Sequence, residues 1–215
     1  AGITHVFWSH ATRHDGLGAP PGAPVLYPFP LYPVQMTEHA DPDGTARRPV
    51  LFSFVGSRPD RYYLTAARAH ILDRLGDHPR GQVVGRDAWH YDRVVYGHQI
   101  RGTVDGSPDT LVDRAASGQF RETLLQSVFS LCPSGTGPNS IRLWESLGAG
   151  AIPVILADSY APPGDPALWA QAAVFCEETE SAITALPDRL EAIAADPGRL
   201  AGMRHAMRQL WLLYG

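Results

Sequence analysis

The sequence predicts an α/β fold: a parallel sheet with helices on both faces. Three observations predict it. From residue 49 onward, short apolar runs alternate with longer helical patterns, the order that builds parallel strands joined by crossover helices. Two apolar runs, PVLFSFVG at 49–56 and VFSLCP at 128–133, each lead through a turn rich in Gly, Ser and Pro into a helix. The length of 215 residues suits one good core, or one and a half.

Composition removes several function classes. The net charge of −4 implies no bulk attraction to nucleic acid or to an anionic membrane. All 18 cationic side chains are arginine, which excludes a Schiff-base lysine and a P-loop lysine. Cys132 and Cys176 each lie in or beside an apolar strand, where a buried free thiol is expected. They offer neither metal-site spacing nor a disulfide framework. No apolar run approaches membrane-spanning length, and no charged start with an apolar core reads as a signal peptide. The expected compartment is the cytoplasm.

The elements follow in order. Residues 3–8 read as a short buried strand. The loop after it gathers Ser9, His10, Arg13, His14 and Asp15 at a strand's carboxyl end, where α/β folds place ligands; a solvated loop is the competing reading. Residues 19–33, APPGAPVLYPFPLYP, exclude a helix and a central strand, leaving an extended segment with a brief strand at 25–27. Residues 35–48 are polar and turn-rich and read as a link between lobes. Residues 49–56 form the first strong strand, and a helix is expected from about 60 to 75. Arg58 and Arg61 flank its start, where they can meet phosphate or simply face water. A short strand at 82–85 precedes the aromatic patch of Trp89, His90, Tyr91 and Tyr96, which suits stacking on a base or sugar, or covering a core edge. Short helices are expected at 109–116 and 120–127.

The stretch 128–153, VFSLCPSGTGPNSIRLWESLGAGAIP, organises the rest. A buried strand enters a turn in which Gly135 and Gly137 let the backbone approach a ligand. Asn139 is the expected N-cap of the next helix, whose free N–H groups and dipole favour an anion. Arg142, Glu145, Ser146 and Ala149 form one stripe of that helix, at i, i+3, i+4 and i+7. Arg142 sits in the first turn, where a bound anion removes its unfavourable interaction with the dipole. Glu145 can accept both hydroxyls of a ribose; the bland alternative is an i,i+3 surface pair. The strand at 151–157 holds Pro153, which predicts an edge or a bulged start. Asp158 follows at its carboxyl end. A strand at 173–177, a helix at 181–194 capped by Glu177, Glu178 and Glu180, and a last helix opened by Asp196-Pro197 complete the chain.

The run CPSGTGPNSIRLWESLGAGAIPVIL resembles the signature of the exostosin-like glycosyltransferases, glycosyltransferase family 47. The matching positions are Cys132-Pro133, Ser140, Arg142, Glu145, Gly150 and Ile152-Pro153-Val154-Ile155. The helix before the Cys-Pro strand and the Gly56 turn with Arg58 behind it agree with the family pattern. The resemblance implies a GT-B fold, two Rossmann-like halves with the active site between them and the nucleotide in the C-terminal half. It places Glu145 on the ribose and Arg142 on the diphosphate, with Ser134, Gly135, Asn139 and Ser140 forming the nucleotide turn. Arg58 and Arg61 assist, and Asp158 matches an acidic residue near the donor sugar or the acceptor, a turn-forming Asp being the competing reading. Three segments are expected: 1–33, a truncated N-terminal lobe with the proline-rich stretch; 34–48, a linker; 49–215, the donor-binding domain.

The resemblance further implies inverting transfer from a nucleotide sugar, expected to be a UDP-sugar, to a glycan or other hydroxyl acceptor. The expected base comes from the N-terminal half, much of which is missing or shortened here. Thr4-His5-Val6-Phe7 resembles the family's Asp-His-Phe segment with Thr in place of Asp. His5, His10, His14 and Asp15 are the nearby candidates for the base, with His10 and Asp15 first among them. No metal or other cofactor is expected: no Asp-x-Asp pair resembles those that hold Mn²⁺ in the other glycosyltransferase fold, and the ADPDG run at 40–44 reads as a loop. An upstream domain or second subunit is a possible partner. Two other classes compete. A donor-binding scaffold without catalysis would bind a UDP-sugar and transfer nothing. A dehydrogenase would need a GxGxxG turn, which the first strand–turn–helix lacks.

Overall fold

The computed structural model describes residues 2–59, 61–89 and 91–215. Asp60, expected at a helix start, and His90, expected in the aromatic patch, lie outside them. A five-stranded parallel sheet forms the body: β3 (Val50–Ser57), β4 (Gly81–Arg86), β5 (Ser127–Pro133), β6 (Ile152–Leu156) and β7 (Val174–Phe175), in the spatial order β4-β3-β5-β6-β7. Numbered within this sheet, the order is 2-1-3-4-5. It reverses between β3 and β5, so the carboxyl ends of those strands flank a topological switch point, the crevice where open α/β sheets bind ligands.

Helices cover both faces. The crossover α1 (Ala67–Leu75) runs from β3 outward to β4, whereas α4 (Ile141–Ala149) runs from β5 in the opposite direction to β6. Right-handed crossovers in opposite directions place their helices on opposite faces. The contacts follow this division, except that the consecutive helices α7 (Leu186–Ala194) and α8 (Pro197–Tyr214) also touch. Helix α1 meets α6 (Glu180–Thr184), and α7 (Leu186–Ala194) meets both α6 and β3. Helix α4 meets α3 (Arg114–Gln126) and α8 (Pro197–Tyr214), which also packs on α5 (Pro166–Ala172). Between the layers lie Phe52, Phe129, Leu131, Trp144 and Trp169, all essentially sealed from solvent.

Local chemistry explains the departures from expectation. Helix α1 begins at Ala67 rather than near 60, because Leu64 N–H donates to Gly135 O at 2.9 Å and draws the preceding residues toward the glycine turn. The helix expected at 181–194 is broken at Ala185. Thr179, not a glutamate, caps α6 through the Ala182 N–H, and Pro187 starts α7. Ser140 holds the N-cap position of α4 with no side-chain cap bond. Asn139 instead donates to Ser9 O at 2.7 Å and accepts from Trp144 Nε1 at 2.9 Å. Pro153 is tolerated because β7 reaches only Val154 and Ile155, leaving the proline edge-like on that side. Asp196 caps α8 through Arg199 N–H, as expected.

Residues 2–48 lie on this body. β1 (His5–Trp8) and β2 (Val25–Pro28) form a two-stranded parallel sheet of their own. Thr12 bridges to Tyr160, and Arg13 N–H donates to Ser159 O at 2.8 Å. The stretch 34–48 is packed rather than suspended. Met36 is buried against Gly148 and Trp211, and Arg48 is buried in an ion pair with Asp41 at 3.2 Å.

A π-helical segment, Arg93–Ile100, and the short α2 (Pro108–Leu111) separate β4 from α3.

Candidate functional site

A cleft of about 230 Å³ opens at the switch point. Its floor is the end of β3 (Val55, Gly56, Ser57), and one wall is the turn after β5 (Gly135, Thr136, Gly137). Asn139, Ser140, Arg142 and Glu145 supply the start of α4, while Tyr63, Arg68, Arg86, Trp89 and Tyr91 close the other side.

The cleft holds a concentration of buried charge. Arg142 is 7% exposed, and its guanidinium donates to Leu131 O at 3.2 Å and Val55 O at 2.5 Å, lying 4.5 Å over the Phe54 ring. Its Nε has no partner among the described residues. Arg68 donates to Ser134 O at 3.2 Å and Ser57 O at 3.4 Å and rests 4.3 Å over the Tyr63 ring. Among the described residues neither guanidinium forms an ion pair. Burial lowers the Arg142 pKa to about 10, and repulsion from Arg68 adds to that. Burial likewise lowers Arg68. An anion between the two heads relieves both effects. Gly56 makes room for them: a Cβ there would sit 2.7 Å from Arg142 Nη2 and 3.3 Å from Arg68 Nη1.

Glu145 is 2% exposed. Burial raises its pKa to about 7, against the opposing pull of Arg142 and of the Gln35 N–H that donates to it. It is thus a carboxylate held near neutrality at the base of the cleft, able to accept hydrogen bonds from paired hydroxyls.

The glycine turn is pinned from three sides. Leu64 holds Gly135 O, Arg68 holds Ser134 O, and Glu178 receives the Ser134 hydroxyl. Glu178 also accepts from Thr65 Oγ1 at 2.8 Å and Asp158 N at 3.0 Å.

Of the residues expected from sequence, Gly135, Asn139, Ser140, Arg142 and Glu145 are brought together here. Ser134 is not in the cleft, because its hydroxyl is turned to Glu178 and Thr65. Arg58 and Arg61 do not line the cleft either: they line a neighbouring cavity, and Arg58 pairs with Asp87 at 3.5 Å in solvent. Asp158 faces Glu178, whose N–H donates to its Oδ2 at 3.3 Å. Asp15 is an exposed turn residue whose Oδ2 accepts from Thr12 N–H at 2.7 Å. His10 packs against Gly137 on the outside of the turn; burial lowers its pKa, and its Nδ1 has no partner among the described residues. No group of three or more metal-ligating side chains occurs among the described residues.

Sequence reasoning passed over Arg68 and Arg86. For Arg68 a signal exists: it completes an i, i+3, i+7 stripe with Ile71 and Leu75, all buried, so an arginine stands where an apolar residue is expected. Arg86, at the end of β4 and bonded to Gln119 at 2.7 Å, has no such signal.

Comparison with known proteins places the chain in a family. The model of the Exostosin GT47 domain matches residues 16–191. Exostosin-1 of Drosophila melanogaster is 37% identical over 95 residues, 43% of this chain and 12% of that protein. A probable beta-1,4-xylosyltransferase of Arabidopsis thaliana is 28% identical over 180 residues, 80% of this chain and 34% of that protein. The chain therefore spans about a third or less of the length of these relatives. Among solved structures, the pneumococcal O-GlcNAc transferase GtfA in complex with UDP and GlcNAc superposes with a TM-score of 0.45 at 12% identity, covering 89% of this chain and 37% of that one.

Proposed function

Because the chain belongs to the Exostosin GT47 domain family, we propose that it is the donor-binding part of an inverting glycosyltransferase that moves a sugar from a UDP-sugar to a glycan or other hydroxyl acceptor. The observation that carries this reading is the pair of buried guanidiniums, Arg68 and Arg142, lining a switch-point cleft together with the buried Glu145 carboxylate. That is a site short of negative charge and equipped for hydroxyls, which matches a nucleoside diphosphate.

In this reading Glu145 accepts the two ribose hydroxyls. The diphosphate lies along Gly135, Thr136 and Gly137 and the uncapped first turn of α4. Arg68 meets it directly. Arg142, held by two strand-end carbonyls, supports it from beneath. As the sugar leaves, charge grows on the diphosphate, and these fixed positive groups stabilise it without reorganising. The base that takes the acceptor proton is not among the cleft residues. Of the earlier candidates only His10 adjoins the cleft wall.

We place a second α/β lobe or subunit against β1 and β2. Parallel strands are ordinarily covered on both faces, yet Phe7 and Phe29 are more than half exposed there. Such a partner would close the cleft and bring the base. A donor-binding protein without catalysis of its own is the second reading, favoured by the turn role of Asp15.

Thermal denaturation with UDP, GDP and dTDP tests the proposal. Saturating UDP should stabilise the chain by about 2–3 kcal/mol at roughly a hundred times its Kd. Arg68→Gln should weaken UDP about tenfold or more. No stabilisation by any of the three would overturn the donor assignment, and an unchanged Arg68→Gln would remove that residue from the diphosphate.

A further inference from the structure

Beside the cleft lies a second, larger cavity of about 790 Å³. It shares Ser57, Tyr63, Ala88, Trp89, Tyr96 and Thr136 with the cleft, so the two adjoin. Glu145, Arg142 and Arg68 line only the first. The second has its own chemistry. Arg58, Arg61 and Arg101 line it, together with Asp87 and Asp92. Asp87 pairs with Arg58 at 3.5 Å, both side chains being exposed. Arg61 lies 4.9 Å over the Tyr62 ring and donates to its hydroxyl, and Arg101 lies 5.9 Å over the Tyr96 ring. Among the described residues neither Arg61 nor Arg101 forms an ion pair.

We propose that this cavity is the acceptor subsite and that it selects a glycan carrying carboxylates. The inference rests on the donor reading of the adjoining cleft. Aromatic faces give sugar rings an apolar surface to lie on. Guanidiniums already oriented by those rings present paired N–H groups that match a carboxylate. The shared wall puts a hydroxyl of a bound glycan next to the sugar of a donor anchored at Glu145. The cavity is larger than the cleft, which suits an oligosaccharide rather than a single small anion.

Titration of the full chain with trigalacturonate tests this, with and without saturating UDP. The neutral methyl ester of the same trisaccharide is the control, and the comparison protein carries Arg61→Gln and Arg101→Gln together. Trigalacturonate should bind the UDP-loaded chain. The ester, and the doubly substituted protein, should each show about tenfold weaker binding, while UDP affinity stays the same. Three results would overturn the proposal: equal binding of acid and ester, no binding of the acid, or displacement of trigalacturonate by UDP. The last would mean that the cavity holds part of the nucleotide. A wild-type chain that takes up trigalacturonate but not UDP overturns the donor reading, and with it the acceptor role, while leaving the anionic preference of the cavity measured.

Discussion

Replacing Arg48 with methionine is expected to lower the unfolding free energy by about 3–5 kcal/mol. Its side chain is only 1% exposed, and it holds five acceptors at once. One guanidinium nitrogen donates to the carbonyls of Leu124, Leu125 and Ser127, the seam between α3 and β5. The other reaches Asp41 at 3.2 Å and Ala149 O at 2.7 Å, the end of α4. Methionine fills much of the space but takes the guanidinium donors from those carbonyls and the cationic partner from a buried carboxylate. Burial works to raise the Asp41 pKa; the Ala46 amide and the Arg48 guanidinium outweigh it and hold the group below the usual carboxylate range. Removing Arg48 leaves the Ala46 and Thr45 amides as its remaining hydrogen bonds. Urea denaturation measures the effect. A loss below about 1 kcal/mol would show that the 34–48 stretch contributes little to the body it lies on.

The second large effect concerns Glu145. UDP binding should tighten as pH rises through about 7, because the carboxylate accepts both ribose hydroxyls and the acid form does not. Glu145→Gln should weaken UDP about tenfold at high pH and remove this part of the pH dependence. Phosphate ionisation also strengthens binding with pH, so the difference between wild type and variant is the informative quantity. Without ligand, the sign for stability is reversed. The folded-state pKa lies above the unfolded value, so between about 4.5 and 7 the folded chain binds a proton that the unfolded chain has released. Stability therefore falls as pH rises through that window, by on the order of 3 kcal/mol at full extent. Glu145→Gln should remove that decline, appearing more stable than wild type at alkaline pH but not near pH 4. Parallel pH profiles for the two proteins would mean that Glu145 is not buried as a titrating acid.

The alternation of apolar runs made the parallel sheet legible, and the strand–turn–helix at 127–149 made the cleft's main wall legible, because local pattern determines both. The strand order was not legible. It depends on which crossover turns which way, and no single window of sequence holds that information. The same limit explains the site. Gly135, Arg142 and Glu145 are neighbours on one turn and one helix, so their proximity could be read directly. Arg68 comes from a helix some seventy residues earlier and is turned inward by the β3–β5 junction. Ser134 shows the converse. It sits within the recognisable motif, yet Glu178, arriving from the end of β7, takes its hydroxyl. Asn139 was read as a cap from its position alone, while its amide is used to fasten the Ser9 loop and Trp144.

A crystal of the chain grown with UDP gives the most direct test of the central assignment. The ribose hydroxyls should lie within hydrogen-bond distance of Glu145, and the diphosphate should run along the 135–137 turn beside Arg68. A nucleotide bound instead among Arg58, Arg61 and Arg101, with Glu145 untouched, would contradict it.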